Sequence, residues 1–204
     1  MLRNWKPLMA SAAILGGMLV APAGWSAEPA GDLHGLPFCS TCHGVNGISK
    51  SDEIPNLAGQ HRNYILNQIK SFRDRSRADP HARDTMWNIA SAIDAKTAET
   101  VAAHYSAQAP APGVAGDAAA IARGKLLYMQ GKPSNDVAQC QRCHGENADG
   151  SDVLPRLAGQ HAAYIEGQLK AFTSGSRDND YMHEYAKGLS GDEIRDVAAF
   201  LASL

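Results

Sequence analysis

The sequence holds only four cysteines among 204 residues, and it lacks any run of basic residues. Its formal net charge is −2, so the chain as a whole is mildly acidic. Because nucleic-acid affinity comes mainly from lysine and arginine on the phosphate backbone, this composition argues against a nucleic-acid partner. Beyond residue 27 no stretch is long and apolar enough to span a membrane, so we expect no transmembrane segment in the mature chain.

The first 27 residues have the pattern of a secretory signal peptide. Two basic residues without an acidic one precede an apolar run from Leu8 to Val20, and small residues follow. The run is too short to span a bilayer comfortably, although an uncleaved anchor is the alternative. Cleavage could follow Ala23 or Ala27, and we prefer Ala27. Removing residues 1–27 leaves 17 basic and 21 acidic residues, a formal charge of −4.

All four cysteines belong to one pattern, Cys-x-x-Cys-His, which occurs twice. Its residues are Cys39, Cys42 and His43 in the first copy and Cys140, Cys143 and His144 in the second. This spacing is typical of haem attachment, in which two thiols bond to the porphyrin and the adjacent histidine is the proximal iron ligand. The sequence therefore predicts two covalently attached haem c groups.

Other interpretations of the cysteines fit less well. Zinc modules place their second cysteine pair roughly 15 to 20 residues after the first, whereas these pairs lie 101 residues apart. A thioredoxin-like pair is expected near a strand–helix–strand pattern, and no β-rich run precedes either pair. Two small disulfides stay open as a purely structural alternative. The motif occurs twice and includes every cysteine of the chain, which favours haem attachment over disulfides.

An internal repeat covers nearly the whole chain after the signal peptide. Residues 54–61 match residues 154–161 at an offset of 100, and the match continues through a helix with one apolar face. Each copy ends in a short helix, with Asp94 as the predicted cap in the first and a Ser190–Glu193 capping box in the second. Both copies therefore read as all-helical.

The composition between the copies predicts the domain boundaries. A segment rich in proline, glycine and alanine predicts a linker over residues 109–117, between a first domain of residues 28–108 and a second of residues 118–204. The second copy opens with a predicted helix, Ala118–Gln130, that Gly131 would stop. The first copy has few residues between the cleavage site and its first cysteine, so its leading helix is shortened or absent.

A haem iron bound by one histidine needs a sixth ligand or an open position. Beyond a polar loop the repeat offset becomes 96, and Met86 and Met182 then occupy equivalent places. The nearby His81 and His183 have no histidine at the equivalent position, since His81 aligns with Arg177. The symmetry of the repeat thus favours methionine as the sixth iron ligand, although a methionine can also simply pack in an apolar core.

Other polar residues near the two motifs have more modest expected roles. Pro55 and Pro155 follow the motif histidines closely, and their carbonyls are candidate acceptors for the second ring nitrogen, or else the prolines only cap the next helix. We expect His61 and His161 to lie at helix entry rather than to bind metal. The loop after the first long helix carries Arg73, Arg75, Arg77 and Arg83. We expect these arginines to be solvated, although one could pair with a haem propionate.

The combination of Cys-x-x-Cys-His, Pro-x-Leu-Ala-Gly-Gln and a loop methionine, repeated twice behind a signal sequence, resembles the dihaem class I cytochromes c of the cytochrome c4 group. The resemblance implies an all-α fold of two tandem class I cytochrome c domains with approximate internal two-fold symmetry. It implies thioether bonds and iron ligands at Cys39, Cys42, His43 and Met86 in the first domain and at Cys140, Cys143, His144 and Met182 in the second.

The resemblance also implies the function. Such a protein is a periplasmic electron carrier, in some cases loosely membrane-associated, that passes electrons from a quinol-level donor to a terminal oxidase or another acceptor, and it is not an enzyme. Its partners are donor and acceptor redox proteins, including membrane-bound respiratory complexes. One alternative is a haem-carrying subunit of a multi-subunit dehydrogenase. A dihaem peroxidase needs an accessible iron position, which two matched methionines disfavour. The shortened leading helix predicts that the haem at His43 is the more exposed.

Overall fold

The computed structural model describes residues 36–204. Within this range the regular structure is helical, and extended pairing is limited to three isolated β-bridges. The fold class predicted from the sequence is therefore confirmed. The predicted signal peptide, residues 1–27, lies outside the described residues, as does any leading helix that the first copy has before residue 36.

The helices form two similar series. The first series is α1 (Leu36–His43), α2 (Arg62–Arg73), a π-helical turn (Ala82–Met86), α3 (Trp87–Ser91) and α4 (Ala95–Ser106). The second series is α5 (Ala118–Gln130), a 3-10 turn (Pro133–Asn135), α6 (Gln141–His144), α7 (Ala162–Thr173), α8 (Asp180–Ala186) and α9 (Gly191–Ala202). Helices α1, α2 and α4 correspond to α6, α7 and α9, so the structure contains the repeat seen in the sequence.

The helix ends follow the expected local signals. The Asp94 side chain accepts a hydrogen bond from the Thr97 N–H at the start of α4. Ser190 and Glu193 form a complete capping box at the start of α9, because each side chain accepts from the other residue's backbone N–H. Helix α5 has the predicted bounds, and Gly131, the residue after its last turn, has a positive φ of 67°.

Each half has its own apolar core, which lies between α2 and α4 in the first half and between α7 and α9, with Tyr128 of α5, in the second. In the first half, Ile65 and Ile69 of α2 pack with Val101 of α4. In the second half, Ile165 of α7 packs with Val197 of α9. Burying an aliphatic side chain of this size contributes about 1.5–3 kcal/mol, so each pair of helices is held mainly by these contacts.

The leading helix α5 lies against α9 in the second half. The helices approach so closely at Gly124 that a Cβ atom there would lie 1.9 Å from the Asp196 carbonyl oxygen. Tyr128 of α5 contacts Phe200 of α9 with ring centroids 5.4 Å apart. Its hydroxyl donates to the carbonyl of Gly145, the residue after the motif histidine, at 2.5 Å.

The first half reaches the equivalent carbonyl from a different helix. Tyr105 of α4 is fully buried, and its hydroxyl donates to the Gly44 carbonyl at 3.4 Å. The residue that corresponds to Tyr105 is Leu201, because their carbonyls accept equivalent bonds from Gly59 and Gly159. Tyr105 on α4, the last helix of the first half, thus makes the hydrogen bond that Tyr128 on α5, the first helix of the second half, makes there.

The segment predicted as a linker has no helix and lies along α9. The Val114 N–H donates to the Ala202 carbonyl at 2.8 Å, and Gly113 lies against the backbone of Ser203. The segment also touches the first half, since Pro110 lies against Gly59. The segment that connects the halves therefore contacts both of them along its length.

Reciprocal hydrogen bonds join the two halves. Gln160 accepts from the Asn56 N–H at 2.8 Å and donates to the Asn56 carbonyl at 2.9 Å. Gln60 makes the same two bonds with Arg156, at 2.9 and 3.0 Å. Both glutamine side chains are buried. Because these residues are equivalent in the repeat, the interface has approximate two-fold symmetry.

We predict that Gly124→Ala destabilises the holoprotein. The new methyl group meets backbone rather than a movable side chain, and such overpacking typically costs about 1–3 kcal/mol. Urea unfolding followed by circular dichroism measures the effect. Gly167→Ala in α7 is the matched control, because nothing lies within 4 Å of a Cβ there. The control should be neutral or slightly stabilising, and equal effects of the two variants would contradict the assigned α5–α9 packing.

Candidate haem-binding sites

Helix α1 contains the first Cys-x-x-Cys-His motif, and α6 contains the second except for Cys140, which is the residue that precedes the helix. None of the four cysteines is in a disulfide, and the second cysteine of each motif, Cys42 or Cys143, is exposed. The first cysteine is partly buried, and burial raises the pKa of Cys39 and raises that of Cys140 to about 11. The four cysteines form no disulfide with one another, so the alternative of two small disulfides is not what the structure shows.

The motif histidines are oriented by carbonyl groups. The Nδ1 atoms of His43 and His144 lie 3.0 and 3.1 Å from the carbonyl oxygens of Pro55 and Pro155. Burial lowers the pKa of each histidine, and the hydrogen bond to the carbonyl opposes that effect only in part. A neutral ring that donates through Nδ1 presents Nε2 as a lone-pair donor, which is the form that binds a metal. The expected role of both proline carbonyls is confirmed.

One cavity of about 1240 Å³ lies between the halves and contains residues of both motifs. All eight residues predicted from the sequence line it: Cys39, Cys42, His43, Met86, Cys140, Cys143, His144 and Met182. This volume is larger than the usual range of about 300–1,000 Å³ for one small-molecule site. Thiol pairs, neutral imidazoles and thioethers are the groups that attach and ligate haem c, so the donor set fits two such cofactors.

The two methionines lie on different local structures. Met86 is the last residue of the π-helical turn and packs against Phe72, Ala82 and Ala90. Met182 lies in the first turn of α8, where its N–H donates to the Asn179 side chain at 3.0 Å. Both methionines are partly buried. Single-turn π-helices are frequent at functional positions.

The other histidines lie where the sequence suggested. His61 and His161 are the residues that precede α2 and α7. His61 also reaches the second half, where its Nε2 lies 2.8 Å from the Asp149 carbonyl oxygen. Of the motif histidines, His144 is 8% exposed and His43 is half-buried. The greater exposure of the first haem stays a prediction.

The positions of the loop arginines differ from two expectations, namely that all four are solvated and that His81 is equivalent to Arg177. Arg73, Arg75 and Arg83 are exposed as expected, but Arg77 is only 7% exposed and lies in the interface. Arg77 also forms an antiparallel bridge with Arg177, so these two arginines are the equivalent pair. The alignment of His81 with Arg177 was wrong, because the change in loop length falls after Arg177 rather than before it.

A buried polar network surrounds the two arginines. Arg77 donates to Gln68 at 2.8 Å, to Gln168 at 2.9 Å and to the Tyr164 hydroxyl at 3.2 Å. Arg177 makes the symmetric contacts with Gln168, Gln68 and Tyr64 at 2.6, 3.0 and 3.0 Å. Each guanidinium lies over a phenylalanine ring of its own half, Phe72 or Phe172. The sequence held a signal for this network, because all four residue types recur at the offset of 100.

The fold and these sites define a helical protein with two c-type haem centres. The family model described as cytochrome c matches residues 121–204, which form most of the second half. The chain is 39% identical over 168 residues to cytochrome c-552 of Acidithiobacillus ferridurans, with 81% of this chain and 73% of the relative covered. It is 32% identical to the thiosulfate dehydrogenase electron acceptor of Thiomonas intermedia, over 99% of this chain and 94% of the relative.

The structure is similar to the solved cytochrome c4 of Acidithiobacillus ferrooxidans, with a TM-score of 0.78 and 37% identity, covering 81% of this chain and 98% of that one. The chain therefore belongs to the cytochrome c family. Within the family it is a dihaem electron-transfer protein of the cytochrome c4 type, with two covalently bound haem c groups.

We predict that Gln160→Ala weakens the interface between the halves. The variant leaves the buried N–H and carbonyl of Asn56 without their partners, and an unsatisfied buried polar group costs about 1–3 kcal/mol. Urea unfolding of the holoprotein measures the loss. Gln108→Ala is the control, since Gln108 makes one bond to the His104 carbonyl within its own half. An equal loss in both variants would contradict an interface role for Gln160.

Proposed function

We propose that the protein is a periplasmic electron carrier that accepts electrons from a quinol-level donor and delivers them to a terminal oxidase or another acceptor, without catalysing bond chemistry itself. The single observation that carries this proposal is the shared cavity, because residues of two equivalent sites line one continuous space. When bound, haem c supplies one-electron redox chemistry. The protein supplies attachment, ligands and burial.

We assign equivalent roles to the residues of each half. The cysteines form the thioether bonds, and His43 and His144 are the proximal ligands, each held by a proline carbonyl. Met86 and Met182 are the distal ligands, supported by their equivalent places in the repeat and by their position on the shared cavity. A thioether ligand raises the reduction potential relative to a second histidine, which suits an acceptor of quinol-level electrons.

The domain limits follow from the repeat and the helix bounds. We assign residues 28–108 to the first domain, residues 109–117 to the linker and residues 118–204 to the second domain, since α4 ends at Ser106 and α5 begins at Ala118. Residues 1–27 would direct the chain across the inner membrane. No helix within residues 36–204 is long and apolar enough to cross a membrane.

We predict that Met86→Ala and Met182→Ala each lower the potential of one haem, on the order of 0.1 V, because the thioether that favours ferrous iron is lost. Each variant should also let carbon monoxide bind to one ferrous haem per molecule. An optical redox titration of the holoprotein measures both effects.

Met129→Ala is the control, because Met129 is also a partly buried methionine and packs on the second apolar core. Its potentials and spectrum should match those of the wild type. Unchanged spectra in both the Met86 and Met182 variants would remove these ligands from the proposal.

A second function is supported by one of the relatives. The similarity to a thiosulfate dehydrogenase electron acceptor over nearly the full length of both chains favours a haem-carrying partner of a dehydrogenase. Native purification followed by size-exclusion chromatography in high salt separates the two functions. A free carrier elutes at the mass of one chain plus its haems, whereas a subunit elutes with a catalytic polypeptide.

A further inference from the structure

The residue that follows Met86 is held through both its backbone and its side chain. The Trp87 N–H donates to the Ala82 carbonyl and closes the π-helical turn that ends at Met86. The Trp87 indole Nε1–H donates to the Arg77 carbonyl at 2.8 Å. The indole also packs, as Met86 does, against the small apolar cluster that contains Phe72. The segment that carries the candidate iron ligand is therefore fixed by the residue next to it.

The Arg77 carbonyl is a rigid acceptor for the indole. The Arg77 N–H donates to the Ser71 carbonyl at 3.2 Å, and Arg77 pairs with Arg177 in an antiparallel bridge. The Arg77 side chain is buried in the interface between the halves. Because these contacts hold the backbone at Arg77, a hydrogen bond to its carbonyl restrains the indole more than a bond to a free loop would.

Arg75 contacts the indole ring. Its guanidinium carbon lies 5.4 Å from the centroid of the Trp87 ring, which is within the range of a cation–π interaction. Arg75 has a φ of 59°, a left-handed conformation that glycine adopts readily and that other residues seldom adopt. The equivalent residue of the second half is Gly175, with a φ of 73°. The first half thus places a side chain here at a conformational cost, and that side chain lies over Trp87.

The second half has a corresponding hydrogen bond from a different residue. His183 follows Met182, and its Nδ1 donates to the Phe172 carbonyl at 2.7 Å. Phe172 lies in the last turn of α7, and Gly175 has no side chain that could cover the ring. In both halves the residue after the methionine therefore donates a ring N–H to a backbone carbonyl. This equivalence indicates a role that is tied to the methionine.

A thioether is a neutral ligand, and Met86 can leave an iron only if its segment of the chain moves. Such a movement would break the contacts of Trp87, and groups that hold a ligand in this way act on the metal through the ligand. We propose that Trp87, supported by the Arg77 carbonyl and by Arg75, is a positioning residue that keeps Met86 on the iron of the first haem and excludes external ligands from that position. The proposal rests on Met86 as the distal ligand of the proposed function.

The test is imidazole binding to the ferric holoprotein, measured by loss of the iron–sulfur charge-transfer band. Because imidazole binds only after Met86 has left the iron, its apparent affinity is proportional to the population of the open segment. All variants are made in a Met182→His background, in which the second iron has two histidine ligands and the band reports the first haem alone. Trp87→Phe keeps a ring but removes the N–H donor, so imidazole should bind about twofold to tenfold more tightly.

His183→Phe in the same background is the control for Trp87→Phe. It removes the corresponding hydrogen bond from the other half, so the imidazole affinity of the first haem should not change. An affinity gain as large as that of Trp87→Phe would contradict a role confined to the segment of Met86.

Arg75→Gln is a second test at an exposed position. It removes the cation from the indole ring, and imidazole should bind about twofold to fivefold more tightly. Arg73→Gln is the matched control, because Arg73 is also exposed and makes none of the cation–π contacts found within residues 36–204. Its imidazole affinity should equal that of the parent protein.

The inference is overturned if Trp87→Phe lowers stability to urea but leaves the imidazole affinity unchanged, because that result shows a purely structural role. If Trp87→Phe does not fold, Arg75→Gln decides, and an affinity equal to that of Arg73→Gln overturns the inference. A parent protein without the charge-transfer band would show that Met86 is not a ligand. That result would be a failure of the proposed ligand assignment, and of this inference with it.

Discussion

The burial of polar groups between the two halves is the constraint on which the structure depends. Small helical domains bury little apolar surface of their own, and here they meet through amides, tyrosines and arginines rather than through an apolar face. Such groups are tolerated in an interior only when their hydrogen bonds are made. The repeat achieves this by reciprocity, since Gln60 and Gln160 each satisfy the backbone of the opposite half. This reciprocity fixes how the two halves face each other and therefore how the two haem sites share one cavity.

The two halves have diverged where the environment of their sites differs. Helix α5 covers α9 in the second half, and Tyr128 carries the hydrogen bond to the glycine after the motif histidine. In the first half the terminal helix carries Tyr105 for the same purpose. The distal segments differ as well, since Asn179 caps α8 whereas Asp79 is turned inward to Arg77. A duplicated unit has thus kept its haem-binding motifs and changed the charges and supports around them.

The sequence was sufficient for those parts of the structure that depend on local spacing. The Cys-x-x-Cys-His motifs, the ends of α5 and the capping box of α9 each depend on residues close in the chain. The proline carbonyls could be predicted because the distance to the histidine is nearly the same in both copies. The interface was harder to predict from the sequence. The residues next to Arg77 do not distinguish it from a solvated arginine in a polar loop, and only its partners in the other half show that it is buried. The misaligned His81 has the same cause, because a length change inside a polar loop has no local signal that fixes its position.

The central claim is that this chain holds two closed haem centres of the same kind, joined across one interface. The most direct measurement is an optical redox titration of the intact holoprotein combined with a count of covalent haem. The account predicts two covalent haems per chain, each six-coordinate with histidine and methionine, and two reversible one-electron steps. Fewer than two covalent haems, or a ferrous wild-type protein that binds carbon monoxide readily, would contradict it.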